Sequence, residues 1–265
     1  MDSLLFNPKI MNGDCIFLNY HAIVDPLSKA VNNDKIYSID APTFRTHLEL
    51  FKRLNLNIIT LDQLGLSKQK EGLTICLTFD DGHESDHTIV APLLNEFNYK
   101  ASFFPTLSNF LSNNNRWQEY RILAENGHVI GAHGVTHKYL SNLKAKDQFY
   151  ELNFSKTFIE EKIGQSPRYF ALPGGKYNRK TLQLAQQCGY KALLTTKFGL
   201  IYQNDCPFMI KRWSLKRKTS LNVLESVLKK EASTHKRIRF GKSIKRSVSR
   251  LIGNKLSDKI NYRIP

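Results

Sequence analysis

Short apolar runs rich in β-branched and aromatic residues recur along this chain, and between them lie segments with apolar residues at i, i+3 and i+4. No other feature constrains the fold as much, because regular alternation of strand and helix signals implies a parallel α/β sheet or barrel. The strand signals fall at Cys15 to Tyr20, Asn57 to Thr60, Thr74 to Phe79, Ala101 to Phe104, Val129 to Ala132, Tyr169 to Leu172 and Lys191 to Thr195. Helical periodicity covers Pro42 to Leu54, Thr88 to Phe97, Trp117 to Asn126, Ala145 to Ile163, Asn178 to Cys188 and Leu221 to Lys230. Gly127, Gly164 and Gly189 follow three of these patterns, the usual helix stop. With 265 residues and no internal repeat, the chain fits one barrel-sized domain over residues 1–232 and a tail over 233–265.

One strand signal ends unusually. Leu77 to Glu84 reads L-T-F-D-D-G-H-E, so Asp80 and Asp81 follow a buried run and precede a glycine. Adjacent carboxylates repel unless a cation or a proton lies between them. Loops at the ends of parallel strands are also where α/β folds carry chemistry. A solvated Asp-Gly turn is the alternative reading.

A second strand end supplies cation ligands. Val129 to Leu143 reads V-I-G-A-H-G-V-T-H-K-Y-L-S-N-L, with His133 and His137 four residues apart. Two imidazoles and a carboxylate are the donor set of an open catalytic zinc site. One Asp of the pair then binds metal and the other remains free to take a proton from metal-activated water.

T-F-D-D-G at Thr78 to Gly82, H-G-V-T-H at His133 to His137 and R-Y-F-A-L-P-G-G-K-Y-N at Arg168 to Asn178 resemble, in order, three motifs of the polysaccharide deacetylase family, the NodB-homology or carbohydrate esterase 4 group. The resemblance spans roughly residues 15 to 230. It implies a distorted (β/α) barrel holding a divalent metal, zinc by preference, through Asp81, His133 and His137. Asp80 is then the general base, and Pro173, Gly174, Gly175 and Tyr177 line the substrate site, a backbone N–H of the loop serving the oxyanion hole. Taken alone, P-G-G also reads as a plain tight turn.

The chain departs from the family pattern twice. Ala171 stands where many members have an arginine that orients the base, with Arg168 three residues earlier. No histidine lies between Lys138 and Thr234, so a late Leu-x-His acid is missing and Arg212 and Trp213 stand in that segment. Tyr20-His21 resembles the N-terminal Tyr-His element of the poly-N-acetylglucosamine deacetylase branch, in which the motif order is permuted. His21 is therefore the candidate general acid, against a structural strand-end histidine. His83 and His87 are read as rim or surface residues, and Trp117 and Tyr177 as sugar-stacking or core aromatics.

The net charge is +16, of which Lys236 to Arg263 contribute ten cations against Asp258, or +9. Ile244, Val248, Leu251 and Ile252 follow helical spacing there, so the tail reads as a basic amphipathic helix suited to an anionic membrane surface, or as a solvated end. Two aromatic residues, Phe240 and Tyr262, make nucleic acid a poor partner for it. Four scattered cysteines without a C-x-x-C pair, no apolar leader and no apolar window of about 18 residues imply reduced thiols and a cytoplasmic protein, peripheral at the inner membrane face. The expected activity is hydrolysis of an N-acetyl or related acyl group on a sugar, glycan or lipid-linked saccharide precursor. A non-catalytic carbohydrate-binding relative, or a deformylase or cyclic-amide hydrolase on the same scaffold, are the alternatives.

Overall fold

A computed structural model describes residues 14–26, 36–64, 72–110, 116–201, 208–236 and 238. Its elements in chain order are β1 (Cys15–Tyr20), β2 (Ile23–Val24), β3 (Ile39–Asp40), α1 (Ala41–Arg53), β4 (Asn57–Ile59), β5 (Thr74–Asp81), α2 (Ala91–Glu96), β6 (Ser102–Pro105), α3 (Arg116–Glu125), β7 (Val129–Ile130), α4 (Ala145–Ile163), β8 (Tyr169–Ala171), α5 (Arg179–Gln187), β9 (Ala192–Leu194), β10 (Met209–Ile210), β11 (Trp213–Ser214) and α6 (Leu221–Leu228). Local chemistry sets several boundaries. Asp40 caps α1 by accepting from Thr43 N, Asn178 and Thr181 cap α5 reciprocally, and Gly164 ends α4 in the left-handed region.

The strands close into a distorted barrel. β5 lies along β1 from Cys15↔Thr74 to Tyr20↔Phe79, and its other edge pairs first with β4 and then, from Thr78 to Asp81, with β6. β6 pairs with β7, a bridge from Ala132 to Phe170 leads to β8, and β8, β9 and β10 continue side by side. Only Lys211 and Arg212 separate β10 from β11, which pairs with β1 and completes the ring. All of these strand pairings are parallel, so the C-terminal ends of the strands collect at one end.

Strand alternation sorts the core into two layers. Ile16, Leu18 and Tyr20 on β1 and Ile75, Leu77 and Phe79 on β5 pack outward in the helix-covered cluster. Cys15 and Phe17, Cys76, Phe104, Ala171, Leu194 and Ile210 form the barrel interior. The inward register continues on β1 to Asn19 and on β5 to Thr78 and Asp80, so the apolar filling gives way to polar groups near the C-terminal end.

Two differences from the expected elements matter. β5 runs two residues beyond the strand signal and so includes both aspartates. β2, β3, β10 and β11, at two residues each, are too short to give a periodic signal. Residues 232–236 are helical, and the His235 ring packs on Phe198. The expected amphipathic tail helix lies outside the described residues. No described helix is long and apolar enough to cross a membrane.

Candidate metal centre and active site

At the end of β5 the backbone turns sharply. Asp81 has φ 75 and Gly82 φ 76, both left-handed, and a Cβ at Gly82 would lie 2.7 Å from the Phe110 ring and 3.0 Å from Pro105 Cα, so a glycine is required there. A non-glycine residue in this region is strained and needs support from its surroundings. Asn109 Nδ2 donates to Asp81 O at 2.9 Å, and Arg116 donates to Gly82 O at 2.8 Å.

That turn presents Asp81 to the β7–α4 loop. His133 Nε2 lies 3.3 Å and His137 Nε2 3.1 Å from Asp81 Oδ1, and all three donors fall within 4.8 Å of one another. His133 Nδ1 is 2.7 Å from Ala171 O; a carbonyl only accepts, so Nδ1 carries the proton and Nε2 faces the cluster with its lone pair. Asp81 Oδ1 is buried and has no hydrogen-bond partner of good geometry among the described residues. A lone pair directed at a buried carboxylate oxygen calls for a cation between them. Two imidazoles and one carboxylate thus fit a divalent metal of the zinc type. Burial raises the Asp81 carboxyl, but the imidazoles of His133, His137 and His83 outweigh it and hold the group well below its usual range.

The loop bearing both histidines is held from behind. Glu151 on α4, buried, accepts from Val135 N at 2.6 Å, from Thr136 N at 3.0 Å and from Thr136 Oγ1. Gly134, at φ 86, leaves room for it, since a Cβ there would be 2.8 Å from Glu151 Oε2.

Asp80 faces a different environment. Arg212 Nη1 and Nη2 donate to its two carboxylate oxygens at 2.7 and 2.8 Å, and Asn19 Nδ2 donates to Oδ2 at 3.0 Å. The guanidinium also donates to Asn19 Oδ1, Thr78 Oγ1 and Thr195 O, at 3.0, 3.2 and 3.1 Å. Arg212 is 0% and Asp80 2% exposed. Burial raises the Asp80 carboxyl, but the charge and hydrogen bonds of Arg212, with His133 and His21, leave it below the usual carboxylate value. It is therefore ionised at neutral pH and fixed in direction. The arginine missing before motif three is supplied from between β10 and β11. Arg168, the nearer residue in sequence, pairs instead with Asp62 at the surface.

The other expected site residues gather at the same end. His21 follows β1, stacks on Tyr37 at 4.7 Å between centroids, and acts electrostatically on both Asp80 and Asp81. Pro173–Gly175 forms one 3-10 turn, with Gly174 at φ 59 and Gly175 at φ 66. Gly175 N–H donates to Leu172 O and Lys176 N–H to Pro173 O, so neither amide is open to a substrate. Tyr177 OH accepts from Lys197 Nζ at 2.9 Å. His83, expected on the rim, lies with Nε2 3.7 Å from Asp81 Oδ2. Trp117 is a core residue, stacked on Phe110. Sequence reasoning missed Glu151 and Asn19, and gave Arg212 no role. The available signal for Glu151 was an acid beside the apolar positions of a helical pattern; Asn19 and Arg212 gave none.

The known proteins that this chain resembles are deacetylases. A polysaccharide deacetylase family model matches residues 67–193, the stretch that carries Asp80, Asp81, His133, His137 and the Pro173–Gly175 turn. A peptidoglycan-N-acetylglucosamine deacetylase of Bacillus cereus is 32% identical over 121 residues, 45% of this chain and 55% of that protein. The chain spans about half the length of the first curated relatives it matches. Among solved structures, the Streptococcus pyogenes deacetylase PplD in complex with acetate superposes with a TM-score of 0.71 at 21% identity, over 81% of this chain and 98% of that one. A de-N-acetylase from Aggregatibacter actinomycetemcomitans gives a TM-score of 0.68 at 22% identity, over 80% and 99%. These two likenesses extend the shared barrel to the segments outside the family match. Residues 67–193 thus carry the polysaccharide deacetylase domain that the family model describes, and the likeness in fold reaches beyond it.

Proposed function

We propose that the protein is a metal-dependent hydrolase that removes an N-acetyl group from a sugar unit of a glycan or saccharide precursor. The observation that carries this reading is the division of the aspartate pair: Asp81 joins two imidazoles, while Asp80 is held ionised and oriented by Arg212 and Asn19. Asp81, His133 and His137 would hold the metal, zinc by donor chemistry. When bound, such an ion acidifies water and polarises a carbonyl. Asp80 takes the proton of the attacking water, and Arg212 keeps the base ionised and aimed. As the C–N bond breaks, His21 gives a proton to the departing amine, and acetate and the free amino sugar result.

The competing reading, a non-catalytic sugar-binding relative, draws on two absences, the late acid histidine and the arginine before motif three. The pairing of Arg212 with Asp80 weighs against the second ground, and His21 stands where the first would be answered. A deformylase or cyclic-amide hydrolase would use the same groups and differ in substrate. The test is acetate release from a panel of N-acetylated oligosaccharides by zinc-loaded protein, with formylated and cyclic amides in parallel. Acetate release that disappears in Asp80→Asn supports the proposal. Metal-loaded protein that releases no acetate from any member would overturn it.

A further inference from the structure

Residues 1–235 carry 29 Lys and Arg against 22 Asp and Glu, a surplus of seven. Four stretches at the C-terminal ends of β7, β8, β9 and β11, residues 131–144, 172–178, 195–201 and 215–220, contain Lys138, Lys144, Lys176, Lys197, Lys216, Arg217 and Lys218 and no carboxylate. These seven account for the whole surplus, and charge is balanced over the rest of that region. Because the strands are parallel, the four stretches lie at the end of the barrel where the aspartate pair and the histidines sit.

Three of the lysines belong to loops that pack on one another. The Tyr139 ring lies against Gly174, where an added Cβ would come within 2.6 Å of it, and Thr196 lies against Gly175. Lys138 precedes Tyr139, Lys176 follows Gly175, and Lys197 follows Thr196 and reaches Tyr177 OH. Lys138 and Lys197 are exposed, and neither has a carboxylate within 4.0 Å among the described residues. Lys138 also lines a depression of about 370 Å³ with His137, Tyr139, Asn142 and Leu143, directly beside the metal donors. Exposed cations without a carboxylate partner among the described residues, as Lys138 and Lys197 are, raise the local concentration of anions and speed their capture.

We propose that the saccharide substrate is anionic, and that Lys138 and Lys197 receive an oxyanion, phosphate or carboxylate, near the N-acyl group. The proposal rests on the deacetylase reading and narrows its substrate class. The experiment compares three N-acetylglucosamine oligosaccharides of equal length with zinc-loaded protein: neutral, phosphorylated, and containing a uronic acid. Binding is followed by calorimetry and turnover by acetate release. At low salt at least one anionic substrate should exceed the neutral one by about 10-fold or more in affinity and kcat/KM. Raising NaCl from about 20 to about 200 mM should shrink the advantage, since exposed charges are screened. Lys138→Ala/Lys197→Ala should bring the ratio towards one, acting on KM. Preference for phosphate over uronate, or the reverse, identifies the anion. Equal binding of all three, or a preference that survives both substitutions, overturns the proposal. Absence of turnover with an intact calorimetric preference would instead count against the deacetylase reading alone.

Discussion

Replacing Arg212 by Met tests the assignment of the base most directly. The substitution keeps much of the side-chain volume, removes both donors to Asp80 and leaves that carboxylate buried. Breaking a buried pair by removing one partner costs about 3–5 kcal/mol. Because Asp80 is buried, solvent screening does not reduce that figure appreciably. The sign with pH follows from the depressed carboxyl: its contribution to stability is fully present above the unfolded value of about 3.9 and is lost as pH falls through the folded value. The Arg212→Met deficit should therefore be largest near neutrality and shrink in acid, where a protonated Asp80 no longer needs the guanidinium. The acid limb of kcat/KM should move upward, by at most about 2–4 pH units if the whole deficit reports on ionisation at 1.36 kcal/mol per unit. Urea unfolding and kcat/KM between pH 4 and 8, with metal content measured, follow both effects. Arg212→Lys keeps the charge but not the two-pronged donation, and should fall between wild type and Met. An acid limb that does not move in either folded variant, whatever the loss of stability, would remove Arg212 from the role of orienting and ionising the base.

Four further outcomes are expected. Asp80→Asn should abolish acetate release with zinc retained, whereas Asp81→Asn should weaken zinc binding; equal metal loss in both would refute the division of roles. Glu151→Ala, which strips the acceptor from Val135 N and Thr136 N, should lower zinc affinity by about 10- to 100-fold in chelator competition, and unchanged affinity would make Glu151 a helix residue and nothing more. His21→Ala should cut amide hydrolysis by about 10²-fold and spare substrates with activated leaving groups; a uniform loss would exclude general acid catalysis. Burial pushes the imidazoles of His47 and His128 down to about 4, so between about 6.5 and 4 the unfolded chain binds more protons. Stability should therefore fall as pH drops through that window, and His47→Gln, followed by urea unfolding, should flatten the slope.

How far the sequence disclosed the site depended on the distance between partners. His133 and His137 are four residues apart at a strand end, and the aspartates are adjacent, so short-range patterns were enough to bring them into one hypothesis. Arg212 lies 132 residues from Asp80, and Asn19 lies 61 residues from it on the other side, so no local pattern joins either to the base. The long strands and helices were legible for the same reason, since each carries its own periodicity. β10 and β11 are held by neighbours from distant parts of the chain, and they are the strands that deliver Arg212.

The inward register gives these scattered contributions a common cause. Along β1 and β5, Cys15 and Phe17, then Cys76, fill the barrel interior, and the next inward positions are Asn19, Thr78 and Asp80. A buried carboxylate there is tolerable only if a cation reaches it inside the barrel, and the gap between β10 and β11 places Arg212 beside β1 at that level. An arginine in motif three or one between the last strands can meet this need equally well, because both segments end at the same rim. Permutation of a closed ring leaves that requirement unchanged, and the same geometry brings His21, at the end of the first strand, to the rim where the proposed acid is needed. The proposed base, its arginine and the proposed acid therefore depend on barrel closure, whereas the candidate metal donors depend on two loops that the family-matched segment already contains.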